Sequence, residues 1–230
     1  MDYHFAYLFL DLCLLPVWLL LFIHRKDLRK EMLVLGFLIG IAGIISEYWY
    51  LRDYWHPLTV FNMPVNIEDF LFGLFMGGIG CVFYEELFGK KLSSRKTRKH
   101  HWALIFIILA GISFLLLNVL FFYFKINSIY CSVIIFMIVA ASFLFFRKDL
   151  IIDAVISGFL CGIVLLISYL VLLNFYPELF SRMWYLSNLS GIFIGKIPIE
   201  EIMWAFGWGM IAGPMYEFYA GLKFRKSRRY

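Results

Sequence analysis

The sequence predicts an all-α fold, a polytopic bundle of membrane helices, and three observations carry that prediction. The first is composition. Of 230 residues, 63% are hydrophobic and only 16% charged, with a mean hydropathy of +0.82. A soluble domain averages about 25% charged residues and cannot hide so much apolar surface. The second is spacing: seven runs of roughly 20 apolar residues, the length a bilayer requires, lie near 4–23, 32–50, 67–88, 102–123, 128–146, 152–174 and 199–221. The third is charge placement. Most of the 21 Lys and Arg fall after the first, third, fifth and seventh runs, and only Arg52, Lys125, Arg182 and Lys196 occupy the alternate loops.

Each element follows from these patterns. Arg25, Lys26, Arg29 and Lys30 close the first span, "KKLSSRKTRKHH" the third, Arg147 and Lys148 the fifth, and "KFRKSRR" ends the chain. Cytoplasmic loops attract Lys and Arg, so the amino terminus is expected outside and the carboxyl terminus inside, in a cell membrane. The net charge of +5 then reads as topology and lipid contact rather than nucleic-acid binding. Cys13, Cys81, Cys131 and Cys161 all fall within spans and are expected to be packing residues.

The chain repeats itself. Residues 25–41, "RKDLRKEMLVLGFLIGI", match 147–163, "RKDLIIDAVISGFLCGI", at nine of 17 positions. Residues 67–85 match 199–217 at six of 19, including Glu68/Glu200, Gly77/Gly209, Tyr84/Tyr216 and Glu85/Glu217. The expected organisation is a 3+1+3 parallel tandem repeat. Residues 1–89 form the first three-helix copy, 90–126 a basic loop and connector helix, 127–222 the second copy and 223–230 a basic tail. Spaced four apart, Asp69, Gly73, Gly77, Cys81 and Glu85 form a ridge of small residues, as do Glu201, Ala205, Gly209, Gly213 and Glu217. Such ridges let membrane helices approach closely, and the expectation is that spans 3 and 7 cross along them.

The acids at the heads of these two spans are the candidate catalytic residues: Glu200 and Glu201 as the principal pair, Glu68 and Asp69 as the second. Acids favour helix starts in any protein, but two duplicated pairs beside the ridge, at membrane depth, mark function. Glu85 and Glu217, near basic residues, are expected to be solvated or ion-paired. Tyr84 and Tyr216 suit an interfacial belt or a substrate contact.

"PIEEIMW" at 198–204 and "NIEDFLF" at 66–72 resemble the acidic motif of the lycopene cyclase domain family, membrane-embedded carotenoid cyclases. The Arg-x-Asp segments and the aromatic loop "EYWYLRDYWHPLTVF" are similar too. Asn66 stands where the family has proline, and Met203–Trp204 where it has paired phenylalanines. The resemblance implies a cofactor-independent, metal-free cyclase. It would protonate a terminal double bond of a linear polyene or related isoprenoid, let the cation close a ring, and take a proton back. Burial favours the uncharged carboxyl such chemistry starts from, and aromatic faces stabilise a passing cation by ~0.5–2 kcal/mol each. Trp204, Trp208, Phe70, Phe72, Trp55, Tyr216 and Tyr84 are the candidate lining. Membrane lipid and a hydrophobic substrate are the expected partners, and an oligomer of identical chains is compatible with the pattern.

Two other readings rest on residues. Asp27 and Glu31, with Asp149 and Asp153, form duplicated acidic pairs four apart, as a Mg²⁺-dependent prenyltransferase would use, although Asp27 and Asp149 also suit helix N-caps. The 3+1+3 pattern also fits a small transporter with an acidic cation or proton site.

Overall fold

A computed structural model describes residues 2–94 and 101–226, so residues 95–100 of the basic loop and 227–230 of the tail lie outside it. The described chain is all-α apart from two short two-stranded ladders. Its helices are α1 (Ala6–His24), α2 (Arg29–Asp53), α3 (Ile67–Gly80), α4 (Phe83–Leu87), α5 (His101–Asn118), α6 (Ser128–Phe146), α7 (Ile151–Phe175), α8 (Leu179–Met183) and α9 (Ile199–Ala220). Among the described residues five helical stretches are long and apolar enough to cross a membrane: Tyr3–His24, Arg29–Asp53, Ala103–Tyr123, Ser128–Phe146 and Lys148–Phe175.

The expected third and seventh spans are not among the five. α3 ends at Gly80 after 14 residues and the chain turns at Cys81 and Val82 before α4. At 1.5 Å per residue α3 reaches about 21 Å, short of a hydrocarbon core near 30 Å. Its tail, Gly77–Gly78–Ile79–Gly80, is poor helix material. α9 has the length, 22 residues, but its acids, glycines and tryptophans make it less apolar. Both helices are instead the enclosed ones: Phe75 to Gly80 and Gly207 to Met215 are buried throughout. A helix surrounded by protein need not be apolar enough to face lipid.

α3 packs against α1 and α2, and α9 packs in the same way against α6 and α7, while α5 lies at the periphery with none of its span buried. Glycines set these contacts. A Cβ on Gly73 would stand 2.5 Å from the Ile39 carbonyl oxygen of α2, and one on Gly43 would stand 2.5 Å from that of Asp69. Across the other pair, a Cβ on Gly209 would lie 2.8 Å from the Gly158 Cα, and one on Gly158 would lie 2.9 Å from the Phe206 oxygen. The small-residue ridges therefore face α2 and α7, not each other, which corrects the expected crossing of spans 3 and 7. A ridge can serve one neighbour at backbone distance, and the "GFLIGI" and "GFLCGI" segments supply the matching small residues. α3 and α9 meet near Gly80, whose Cβ would come within 2.8 Å of the Ala212 Cβ, where the Trp208 Nε1 donates to the Met76 oxygen at 3.2 Å, and through the rings of Phe72 and Trp204.

At one end, the loops after α2 and α7 close the bundle. His56 N donates to the Met183 oxygen at 2.8 Å and Tyr185 N to the Tyr54 oxygen at 3.0 Å, which sets Trp55 beside Trp184. The hairpin of β2 (Phe193–Ile194) and β3 (Ile197–Pro198) at this same end leads into α9, and at the other, basic end β1 (Lys90–Ser94) pairs antiparallel with β4 (Leu222–Lys226). Asp27 and Asp149 do not cap helices: each accepts two bonds from an arginine two residues earlier, Arg25 at 3.0 Å and Arg147 at 2.9 Å. The acids are thereby taken out of the pairs that a diphosphate site would need.

The packing predicts that Gly209→Leu lowers stability by at least about 1–3 kcal/mol through overpacking. Gly111→Leu, on the open face of α5 with nothing within 4 Å, should leave the thermal midpoint of the detergent-solubilised protein unchanged.

Candidate active site

The glycine contacts fix how α3 and α9 are rotated, and that rotation separates the two acids of each pair. Consecutive side chains on a helix point about 100° apart, so only one of each pair can enter a given space. An apolar cavity of about 280 Å³ lies under the Trp55–Trp184 lid, and Asp69 and Glu201 line it, together with Glu47 of α2. Glu68 and Glu200 do not. The Glu68 Oε1 accepts from Val60 N at 2.9 Å. The Glu200 Oε1 accepts from Ser190 N and the Tyr130 hydroxyl, both at 2.7 Å. Both acids are buried, and both tie down the loop that precedes their helix. The expectation of two adjacent-residue pairs is corrected here: the cavity takes one acid from each helix head and a third from α2.

The three carboxyls are held differently. Glu201 is gripped on both oxygens: Trp184 Nε1 donates to Oε1 at 2.7 Å, the Tyr54 hydroxyl donates to the same oxygen, and the Tyr169 hydroxyl donates to Oε2 at 2.7 Å. Asp69 completes a capping box, its Oδ2 accepting from Asn66 N at 2.7 Å while the Asn66 side chain accepts from Ile67 N. Tyr7, which also lines the cavity, donates to the same carboxyl. Glu47 accepts from Trp55 Nε1 at 2.9 Å and lies close enough to Asp69 for the two to interact electrostatically. The lid tryptophans thus do equivalent work, Trp55 holding Glu47 and Trp184 holding Glu201, with their rings 5.4 Å apart.

Four of the expected lining residues, Trp204, Trp208, Phe72 and Trp55, do line the cavity. Trp204 and Trp208 stack at 6.4 Å, and Phe72 and Phe136 flank Trp204 at 5.7 and 5.8 Å. Trp204 also donates to the Tyr50 hydroxyl at 3.0 Å. Phe70, Tyr84 and Tyr216 are not in the wall. Phe70 fills the contact with α2, its ring 5.7 Å from Phe37 and against Gly40. Tyr84 packs on Phe88 at 4.9 Å beyond the end of α3, and Tyr216 belongs to the last turns of α9. Helical periodicity places both tyrosines four or more turns from the acids they follow.

Glu85 and Glu217 also differ from expectation. Both are fully buried and face each other as a carboxyl pair. Sequence reasoning further missed Tyr54, Tyr169 and Trp184 and left Glu47 without a place in the site. One signal was present: continuing the gapless match of 25–41 with 147–163 puts Glu47 opposite Tyr169.

Apolar helices enclosing an acid-bearing chamber define this chain as a membrane protein. A model of the lycopene cyclase family matches residues 127–219, so this stretch, less than half of the chain, is similar to that family. The matched stretch contains Tyr169, Trp184, Glu201, Trp204 and Trp208; Glu47 and Asp69 lie outside it. No curated protein and no solved structure matches the chain.

The grip on Glu201 is testable by itself. Tyr169→Phe and Trp184→Phe each leave a buried carboxyl oxygen short of a donor and should each lower stability by about 1–3 kcal/mol. Because they share one acceptor, the double variant should lose less than the sum in thermal unfolding.

Proposed function

We propose that the chain is a cofactor-independent cyclase of the carotenoid type in a cell membrane, closing a ring at the end of a linear polyene or related isoprenoid. The observation that carries this reading is the chamber: aromatic walls, three buried carboxyls from α2, α3 and α9, and a lycopene cyclase match that includes Glu201. Its volume, about 280 Å³, equals roughly nine waters at ~30 Å³ each. That suits one terminal group and excludes a whole polyene, which fits a substrate reaching in from the bilayer. The wall includes Phe114 and Leu117 of the peripheral α5, and we take this side as the entrance.

In the proposed reaction a carboxylic acid adds its proton to the terminal double bond. The resulting cation is attacked by the neighbouring double bond, closing the ring and moving the positive charge to a ring carbon. A carboxylate then removes a ring proton, so the product is an isomer and the acid is regenerated. Asp69 suits the proton donor, because it lines the chamber beside Tyr7 and Glu47 next to it can share and replenish the proton. Glu201, with donors on both oxygens, suits a fixed negative group that stabilises the cation and receives the proton. The faces of Trp204, Trp208 and Phe72 add cation–π stabilisation. Each three-helix set contributes one helix-head acid, as a tandem repeat would. Seven spans with the amino terminus outside remain our preferred topology.

Expression in a lycopene-accumulating host tests the roles. Asp69→Asn and Glu201→Gln should each reduce cyclised pigment at least ~10²-fold with the protein still in the membrane. Glu68→Gln and Glu200→Gln should reduce it only in proportion to protein yield. Full activity in both chamber variants, or no cyclised product from the unaltered chain on any linear polyene supplied, would overturn the reading.

A further inference from the structure

A second acidic centre lies at the basic end of the bundle. Glu31 of α2, Glu85 of α4, Asp153 of α7 and Glu217 of α9 are all buried, at 2%, 0%, 1% and 0% exposure. Glu217 follows Glu201 on α9 by 16 residues, about 24 Å along the helix axis, so this centre is separate from the chamber. Carboxyl oxygens of Glu85, Asp153 and Glu217 all lie within 4.8 Å of one another, and Glu31 is close enough to interact electrostatically with Glu85 and Asp153. Glu85 and Glu217 hydrogen-bond each other and Asp153 Oδ1 accepts from the Ser157 hydroxyl at 3.1 Å, whereas both oxygens of Glu31 and Asp153 Oδ2 are buried without a hydrogen-bond partner among the described residues. The contrast with the chamber is plain, because Glu201 is met there by three donors.

Buried carboxyls left like this are costly unless something compensates them. Nearby cations are already engaged: Arg25 is paired with Asp27 and Glu86, and Arg147 with Asp149. Glu217 sits in the last turn of α9, where the dipole disfavours an anion. One oxygen each of Glu85, Asp153 and Glu217 is spaced as a single small cation needs, with Glu31 adding its charge. Two ligands at about 2.4 Å on opposite sides of an ion are about 4.8 Å apart, and other ligand pairs are closer. An all-oxygen, all-carboxylate set selects a hard divalent ion. The neighbouring thiol of Cys81 is engaged with the Gly78 carbonyl at 3.3 Å. We infer that Glu31, Glu85, Asp153 and Glu217 form a structural site for one divalent cation of the Mg²⁺, Mn²⁺ or Ca²⁺ class, tying α2, α4, α7 and α9 together. This departs from the metal-free expectation drawn from the sequence, and it does not depend on the cyclase reading.

The test uses the full chain in detergent micelles, stripped with EDTA and titrated with Mn²⁺ under electron paramagnetic resonance, with thermal unfolding in parallel. The site predicts about one tightly held Mn²⁺ per chain and a rise of several degrees in Tm that Mg²⁺ or Ca²⁺ reproduces. Glu217→Gln and the milder Asp153→Asn should each weaken Mn²⁺ binding more than tenfold and abolish the Tm response. Glu86→Gln, outside the cluster, should keep both. If a variant fails to fold, the stoichiometry of the unaltered chain still decides. No stoichiometric Mn²⁺ and no Tm response in that chain would mean that the carboxyls are held by protons alone, and the inference fails. Binding that persists at equal affinity in both variants would equally overturn it.

Discussion

Helices in an apolar surround gain little by burying more apolar side chains, so their association rests on how closely their surfaces fit. Here the fit is made by backbone against backbone. Gly73 lets α3 lie on α2 and Gly209 lets α9 lie on α7, with no room at either place for a side chain. The consequence reaches beyond packing. Each glycine shares a helical row with an acid one turn earlier or two, Asp69 with Gly73 and Glu201 with Gly209. Fixing the row fixes the direction of the carboxyl. The adjacent acids, Glu68 and Glu200, are turned toward loop amides by the same rotation. One constraint therefore assigns four acids to two different duties.

A carboxyl brought into such an interior has to be met by something. In the chamber it is met by indole N–H and phenol O–H groups, from Trp55, Trp184, Tyr54 and Tyr169. These donors satisfy an oxygen without cancelling its charge, whereas a lysine or arginine would form an ion pair and remove the carboxyl from proton chemistry. Their rings also keep the walls apolar. Arg25 and Arg147 form their pairs at the other end, and Arg182 pairs with the exposed Glu178 rather than with a chamber acid. The division suits a chamber in which a cation must be stabilised by groups that cannot trap it permanently.

How far this was legible in the sequence depended on distance along the chain. The apolar runs, the repeated "RKDL" and "GF" segments and the acids at two helix heads are local patterns, and they located the helices and the acidic motifs. The small-residue rows were legible as packing faces, but their partners were not: a ridge announces that something approaches and cannot say which helix does. The donors around Glu201 come from 17, 32 and 147 residues away, and no window contains them. Glu85 misled for a physical reason. It stands just before lysines in sequence, which suggests a solvated ion pair, yet the break at Cys81 and Val82 turns it inward under β1 and β4. Phe70 misled more simply, since an aromatic beside an acid on a helix points elsewhere by a quarter turn or more.

α9 makes the remaining contrast explicit, because it carries a buried acid near each end. At its amino end Glu201 has the helix dipole in its favour and three aromatic donors besides. At its carboxyl end Glu217 faces the negative pole of its own helix, among three more carboxyls, of which Glu85 is hydrogen-bonded to it. The same residue type on the same helix is therefore held by fixed dipoles at one end and by something mobile, protons or a metal ion, at the other. Both ends also recruit helices from the two three-helix sets: α2, α3 and α9 around the chamber, α2, α4, α7 and α9 around the second cluster. The sets touch directly over little area between α3 and α9. They also meet between α1 and α7 through apolar contacts, Phe9 lying on Phe175 at 5.0 Å, so the two polar centres join helices that apolar packing already brings together.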